Sequence, residues 1–155
     1  MGERYLRSVR LLAECMQGFE RFSGDSVRQC GLTHAQFDII ATLGNTAGMT
    51  YKQLGERTLI TKGTLTGVID RLEQKGLVVR ERSGDDKRSF FVSLTASGEA
   101  LFERVFPAVV AHGKQLFASC SDAEFDAIDS ALSRLKQMIT DASAAPSPPT
   151  PKEKQ

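Results

Sequence analysis

The run TKGTLTGVIDRLEQKGLVVRERSGDDKRSFFVSL, residues 61–94, changes its hydrophobic period halfway along. Its first part sets Leu65, Val68, Ile69 and Leu72 on one face of a helix. Thr61 stands where a hydroxyl can cap that helix, and Gly76 stands where a helix stops, because glycine takes the left-handed conformation at no Cβ cost. Past Gly76 the period drops from about 3.6 residues to about 2. Leu77–Arg82 and Phe90–Leu94 then read as strands, joined by the polar, turn-forming Ser83-Gly84-Asp85-Asp86-Lys87. The expectation is a helix near Thr61–Lys75 feeding a β-hairpin near Arg80–Phe91.

Upstream lie two shorter helices with start signals. Thr33 is followed by Gln36 and Thr50 by Gln53, the spacing at which a hydroxyl and a later side chain satisfy each other's orphan amides. The Thr33 helix carries Phe37, Ile40 and Leu43, then meets Gly44-Asn45 and Gly48. The Thr50 helix has Tyr51 and Leu54 apolar, and a turn at Thr58–Ile60 separates it from the helix of the opening run. Helix, short turn, helix and hairpin together read as a winged helix-turn-helix. The fold class is therefore mainly α with a small β-wing.

Both chain ends carry helices of a different kind. Leu6, Val9, Leu12, Met16, Phe19 and Phe22 form one stripe, with Gly24 and Gly31 read as its fraying end or a break. Thr95 opens a helix through Leu101, Val105, Val109 and Leu116, with a kink expected at Pro107. Ser121 and Glu124 form a third capping box, ahead of a stripe at Phe125, Ile128, Leu132, Leu135 and Ile139. Residues 1–32 and 95–143 are read as a helical dimerisation region and residues 33–94 as the winged unit. Residues 144–155 hold four of the five prolines and are expected to be a disordered tail.

The chain has 155 residues, 41% hydrophobic and 25% charged, which suits a globular protein. No apolar run approaches the roughly 18 residues of a membrane span, and the first residues lack the apolar stretch of a secretory signal. A cytoplasmic location with reduced cysteines is the expectation. The net charge of +1 conceals a segregation. Arg57, Lys62, Arg71, Lys75, Arg80, Arg82, Lys87 and Arg88 outnumber the five acids between residues 57 and 91. Between residues 121 and 143, Asp122, Glu124, Asp126, Asp129 and Asp141 outnumber Arg134 and Lys136. One region suits an anionic partner, the other does not.

A helix is about as wide as a DNA major groove, so one that reads it needs small or hydrogen-bonding residues outward. Thr61, Lys62, Gly63, Thr64, Thr66, Gly67 and Arg71 supply them. The glycines allow close approach, while Lys62 and Arg71 can neutralise phosphates. Arg88, near the hairpin tip, suits a narrow minor groove, and Arg80 and Lys87 add to the expected DNA contacts.

The run Leu72-Glu73-Gln74-Lys75-Gly76-Leu77-Val78-Val79-Arg80, then Asp86-Lys87-Arg88-Ser89-Phe90-Phe91-Val92-Ser93-Leu94-Thr95-Ala96-Ser97-Gly98, resembles the MarR family of bacterial transcriptional regulators. The family pattern there is L-E-x-x-G-[LY]-[VI]-x-R followed by D-x-R-x-x-x-[VI]-x-L-T-x-x-G. The resemblance runs from about Leu6 to Ile139. It implies a homodimer on a palindromic double-stranded operator, Arg88 in the minor groove, and Asp86 holding the wing by pairing with an arginine. Gly67 departs from the larger polar residue of many relatives. The resemblance further implies a repressor released by a small aromatic or phenolic ligand or by an oxidant. The implied pocket lies where the dimer helices meet the winged unit, with Phe19, Phe22, His34, Phe37 and His112 as candidate lining residues.

Two alternatives stand beside that reading. One is a redox-sensing regulator through Cys15 and Cys120, since peroxide-sensing relatives pair an early and a late cysteine. Cys15 shares the Leu12–Phe19 face and also reads as an inert core thiol, Cys30 stands at a helix end where exposure is expected, and Cys120 adjoins helix-terminal amides that can favour thiolate. The other is a winged-helix module for a protein partner. The two histidines and three cysteines are scattered without ligand spacing, so no metal or cofactor is expected. The absence of a phosphate loop, nucleophile elbow or paired-carboxylate motif argues against an enzyme.

Overall fold

Three capping boxes start three helices. Gln36 N donates to Thr33 Oγ1 while Thr33 N donates to Gln36 Oε1, and Thr50 with Gln53 repeats the exchange. Ser121 and Glu124 make the third. These are the places the sequence marks. The computed structural model describes residues 3–82 and 90–144. In order they form α1 (Arg4–Gln29), α2 (His34–Leu43), β1 (Met49–Thr50), α3 (Tyr51–Thr58), α4 (Lys62–Gln74), β2 (Val78–Arg82), β3 (Phe90–Leu94), α5 (Ala96–Leu116) and α6 (Asp122–Ala144). The expected turn Ser83–Lys87, with Asp86 and Arg88, lies outside the described residues. So does the expected tail beyond Ala144, the residue that closes α6.

The chain falls into two compact units, Met1–Gln115 and Leu116–Gln155. The first holds the core. Leu65, Val68, Ile69 and Leu72 of α4 are all buried, as their stripe requires, together with Val27, Leu32, Ile39, Ile40, Leu43, Leu54, Val78, Val92 and Phe102. In the second unit, α6 has no buried residue, and Phe117 meets Phe125 with ring centroids 5.6 Å apart. No helix among the described residues is long and apolar enough to cross a membrane.

The hairpin has a third strand. The antiparallel order is β1-β3-β2, with Val78 opposite Leu94, Arg80 opposite Val92, and Met49 also opposite Val92. β1 is too short to show a period, and its Thr50 doubles as the α3 cap. Gly48 precedes it at φ 118, and a Cβ there would meet the Val92 carbonyl oxygen at 2.7 Å.

The first helix corrects an expectation. α1 passes through Gly24 without a break, with Ser23, Gly24 and Val27 buried. A mid-helix glycine costs only about 1 kcal/mol, which such packing outweighs. The helix ends at Gly31 instead, φ 74, where the Gly31 and Leu32 amides donate back to Arg28 O and Val27 O. α4 ends the same way: Gly76, φ 70, donates to Glu73 O and Leu77 to Leu72 O. Both are Schellman endings, which satisfy carbonyls that a helix end leaves open.

Thr95 fastens that second ending to α5. Its hydroxyl donates to Gly76 O at 2.6 Å and accepts from Gly98 N at 3.1 Å, while Thr95 N donates to Leu77 O. A Cβ on Gly98 would stand 2.0 Å from the Leu77 carbonyl oxygen. The T-x-x-G spacing is thus a hydroxyl clamp beside a glycine that lets two backbones touch.

Gly98→Ala should therefore lower unfolding stability by about 2–3 kcal/mol in urea melts, as overpacking against backbone does. Gly67→Ala, whose Cβ meets nothing within 4 Å, should instead raise it by about 0.5–1 kcal/mol. Equal effects at the two sites would refute this account of Gly98.

Candidate nucleic-acid interface

α3 and α4 meet at a turn held by buried Thr58. Its hydroxyl donates to Leu54 O at 2.6 Å, closing α3, and accepts from Ile60 N. Leu59 takes the left-handed conformation, φ 59, and is 88% exposed. The turn brings Thr61 to the start of α4. Thr61 occupies the cap position, but its hydroxyl donates to Thr64 Oγ1 at 3.1 Å rather than accepting from a backbone amide. That differs from the expected cap.

From there α4 divides cleanly. Leu65, Val68, Ile69 and Leu72 face the core, while Thr61, Lys62, Gly63, Thr64, Thr66, Gly67 and Arg71 are all exposed. Neither Gly63 nor Gly67 is needed by the packing, because an added Cβ at either would meet nothing within 4 Å. The outward face is thus free of bulk along its first two turns, carries two cations, and has the positive end of the helix dipole at its start.

Arg80 lies elsewhere in the network. Its guanidinium makes a two-pronged contact with Glu73, Nε to Oε2 at 3.2 Å and Nη2 to Oε1 at 2.9 Å. Nη1 reaches Asp70 Oδ1 at 2.7 Å and donates to the Tyr51 hydroxyl at 3.2 Å. The Phe90 ring lies 5.5 Å from its guanidinium carbon. Arg80 is one of the expected DNA contacts, and within the chain it is a brace between β2, α3 and α4. Sequence reasoning missed Tyr51, Asp70 and Glu73 as its partners. The one hint was an acid–acid–base spacing across the Gly76 corner. Lys87 and Arg88 lie outside the described residues, as does Asp86.

The Arg80 hydrogen bond holds the Glu73 carboxyl below its ordinary value of 4.5, against the opposing pull of burial. A carboxylate with a lowered pKa in the folded state contributes stability above its unfolded pKa and loses it as pH falls through the folded value.

The five expected effector residues do not line one groove among the described residues. Phe22 stacks on His112 with centroids 4.3 Å apart, and His112 Nε2 lies 2.9 Å from Phe22 O. Phe37 packs against the core and Phe19 is exposed. Only His34 lines the open groove of about 550 Å³ on α1, beside Gln17, Glu20, Arg21, Asp25 and Arg28. His34 Nε2 sits 3.1 Å from Glu20 O. That groove is charged rather than aromatic. The resemblance implied an aromatic lining, but Phe22 and His112 stack on each other and Phe37 packs on the core.

The cysteines also depart from expectation. Cys15 is exposed, so it is not a core thiol of this chain. Cys30 is half-buried and donates to Ser26 O at 3.3 Å. Burial pushes the Cys120 thiol up, and the Glu124 carboxylate adds to the rise, which opposes thiolate formation. The capping glutamate that the sequence shows is the second cause, after burial. Among the described residues no group of three or more His, Cys, Asp or Glu could hold a metal ion.

With this geometry in place, comparison with known proteins is informative. A family model described as MarR family matches residues 31–89. The HTH-type transcriptional regulator FarR of Neisseria gonorrhoeae is 31% identical over 113 residues, spanning 73% of this chain and 69% of that protein. The structure of reduced AbfR bound to DNA matches with TM-score 0.71 at 29% identity, covering 88% of this chain and 94% of that one. NadR in complex with 4-hydroxyphenylacetate matches with TM-score 0.57 at 29% identity, covering 84% of each.

For the brace, Glu73→Gln should flatten the acid limb of stability. Between about pH 5 and about pH 3 the wild type should lose more urea resistance than the variant. Equal losses would remove Glu73 from the account.

Proposed function

The chain belongs to the MarR family and is a DNA-binding transcriptional regulator; from that premise we propose that it acts as a homodimeric repressor which a small ligand releases from a palindromic operator. The observation that carries the reading is the outward face of α4, Thr61 to Arg71, which is exposed along its length, lacks bulk at Gly63 and Gly67, and carries Lys62 and Arg71. In this reading α4 enters the major groove. Arg88 and Lys87 of the wing add contacts beside it, with Arg88 in the minor groove. Asp86 holds the wing. Arg80 serves the interface from behind, by fixing the wing to α3 and α4.

The dimer rests on unpartnered stripes. Leu6, Val9, Met16 and Phe19 of α1 are exposed, and so are Ile128, Leu132 and Ile139 of α6. Apolar rows of that length on helices of a globular protein mark interaction surfaces. In the proposed arrangement residues 1–32 and 95–143 pair with a second copy while residues 33–94 face DNA. Two-fold symmetry then requires half-sites about one helical turn apart.

Release needs no chemistry beyond differential affinity: an effector favours a dimer geometry whose reading helices do not match the groove spacing. NadR, a relative, binds 4-hydroxyphenylacetate. In the charged groove, Arg21 and His34 are the groups that suit an organic carboxylate of that kind, Arg28 being paired with Asp25. An oxidant acting through exposed Cys15 is the second reading, supported by that exposure and weakened by the raised Cys120 thiol.

Purified protein should bind a duplex from upstream of its own coding sequence with a steep salt dependence. Arg88→Ala should weaken that binding about tenfold or more while the dimer persists in size-exclusion chromatography. Unchanged affinity would strike Arg88 from the interface, and no salt-sensitive binding by the wild type would sink the operator reading.

Binding should also be tested with 4-hydroxyphenylacetate and with peroxide, in wild type and Cys15→Ser. Release by the acid in both proteins supports the ligand reading. Release by peroxide in the wild type alone supports the redox one.

A further inference from the structure

Lys75 is the last residue before the glycine that ends α4, and its exposed side chain reaches across to the corner between α1 and α2. Its Nζ donates to Gly31 O at 2.7 Å and to Gln36 Oε1 at 3.3 Å. These acceptors lie 44 and 39 residues away in the chain. Each belongs to a helix end. Gly31 is the left-handed glycine that closes α1, and Gln36 is the buried third residue of the capping box that opens α2. One ammonium therefore joins three helix ends: the end of α4, the end of α1 and the start of α2.

The chemistry of the joint is specific. A helix carries excess negative potential at its C-terminal carbonyls, so the Gly31 carbonyl is a favourable acceptor for a cation. Gln36 Oε1 already accepts from Thr33 N at 3.1 Å, so the Lys75 bond draws on the same atom that starts α2. Arg80 ties α4 to β2 through Asp70 and Glu73, while Lys75 makes the charge-assisted tie toward α1 and α2. The other ties of α4 to α2 are apolar, and apolar contacts resist sliding less than a directed, charge-assisted bond.

We propose that Lys75 is a positioning residue for DNA reading, holding the C-terminal end of α4 against the α1–α2 corner so that the outward face of α4 meets the groove at one fixed angle. The role rests on the reading of α4 as the DNA-reading helix. Lys75 bonds to protein acceptors, and in this role it acts through the helix it anchors. The same joint passes within two residues of His34, the α2 residue that lines the charged groove on α1. A change in α2 at that groove therefore reaches α4 through Gln36 and Lys75.

A direct phosphate contact and a positioning role predict different losses. A phosphate contact adds affinity for any duplex and contributes about one unit to the salt slope. A positioning residue affects only the duplex whose bases are read. The test uses the full chain and two duplexes, one from upstream of its own coding sequence and one scrambled to the same length and composition, titrated across about 50–200 mM salt. Lys75→Met should lower affinity for the first duplex about tenfold or more, the loss expected for one charge-assisted hydrogen bond. Its affinity for the scrambled duplex and its salt slope should match the wild type. Lys75→Arg, which keeps a cation and its donors, should recover most of the loss. Arg71→Met is the contrast: weaker on both duplexes, with a slope lower by about one.

Lys75→Met that weakens both duplexes and lowers the slope makes Lys75 a phosphate contact and overturns the proposal. So does unchanged affinity, or a lowered thermal midpoint with unchanged affinity per folded molecule. If the wild type binds neither duplex, the reading of α4 falls and this role falls with it. Wild-type discrimination with an unaffected Lys75→Met removes the role alone.

Discussion

The left-handed corner at Gly76 controls the geometry of the whole winged region. A helix of thirteen residues must stop, leave its last carbonyls satisfied, and turn at once into a strand. The Schellman bonds from Gly76 and Leu77 do the first two, and positive φ at a glycine does the third. Because β2 begins at Val78, the direction of the sheet is set by that corner. Thr95 then binds the Gly76 carbonyl and Gly98 admits the Leu77 carbonyl, so α5 starts from the same point. Helix, sheet and following helix share one backbone junction.

Around that junction the polar contacts work in two opposite directions. On the wing side, Arg80 gathers Glu73, Asp70 and Tyr51, which joins β2 to α4 and α3. On the other side, Lys75 reaches back to the corner between α1 and α2. Both cations sit within five residues of Gly76, and both are spent on protein oxygens. The cations left on the outward face of α4 are Lys62 and Arg71, nearer the start and middle of the helix. A count of basic residues between 57 and 91 therefore overstates how many lie free on the outward face of α4.

Much of the fold is legible in the chain because its signals are short-range. A capping box spans three residues, a helical stripe repeats within four, and a terminating glycine acts on the carbonyls of its own last turn. That is why Thr33, Thr50, Ser121, the α4 stripe and Gly76 all stand where they were expected. β1 was not legible, since two residues carry no period and their pairing depends on β3, some forty positions later. Gly24 misled because glycine's helix cost is local, while the burial that outweighs it is not.

The candidate site divides along the same line. The sequence alone determined which face of α4 is apolar and which is polar, because rotation per residue in a helix is constant. It also determined that the helix leads into a hairpin. Only the tertiary structure decided the rest. Arg80 became a brace and Lys75 a tie because acceptors from distant segments arrived beside them. Phe22 and His112 stack on each other, which takes them out of the groove that His34 lines. The physical reason is range: backbone periodicity and capping are settled within one turn, whereas the partner of a charged side chain is settled by which elements pack together.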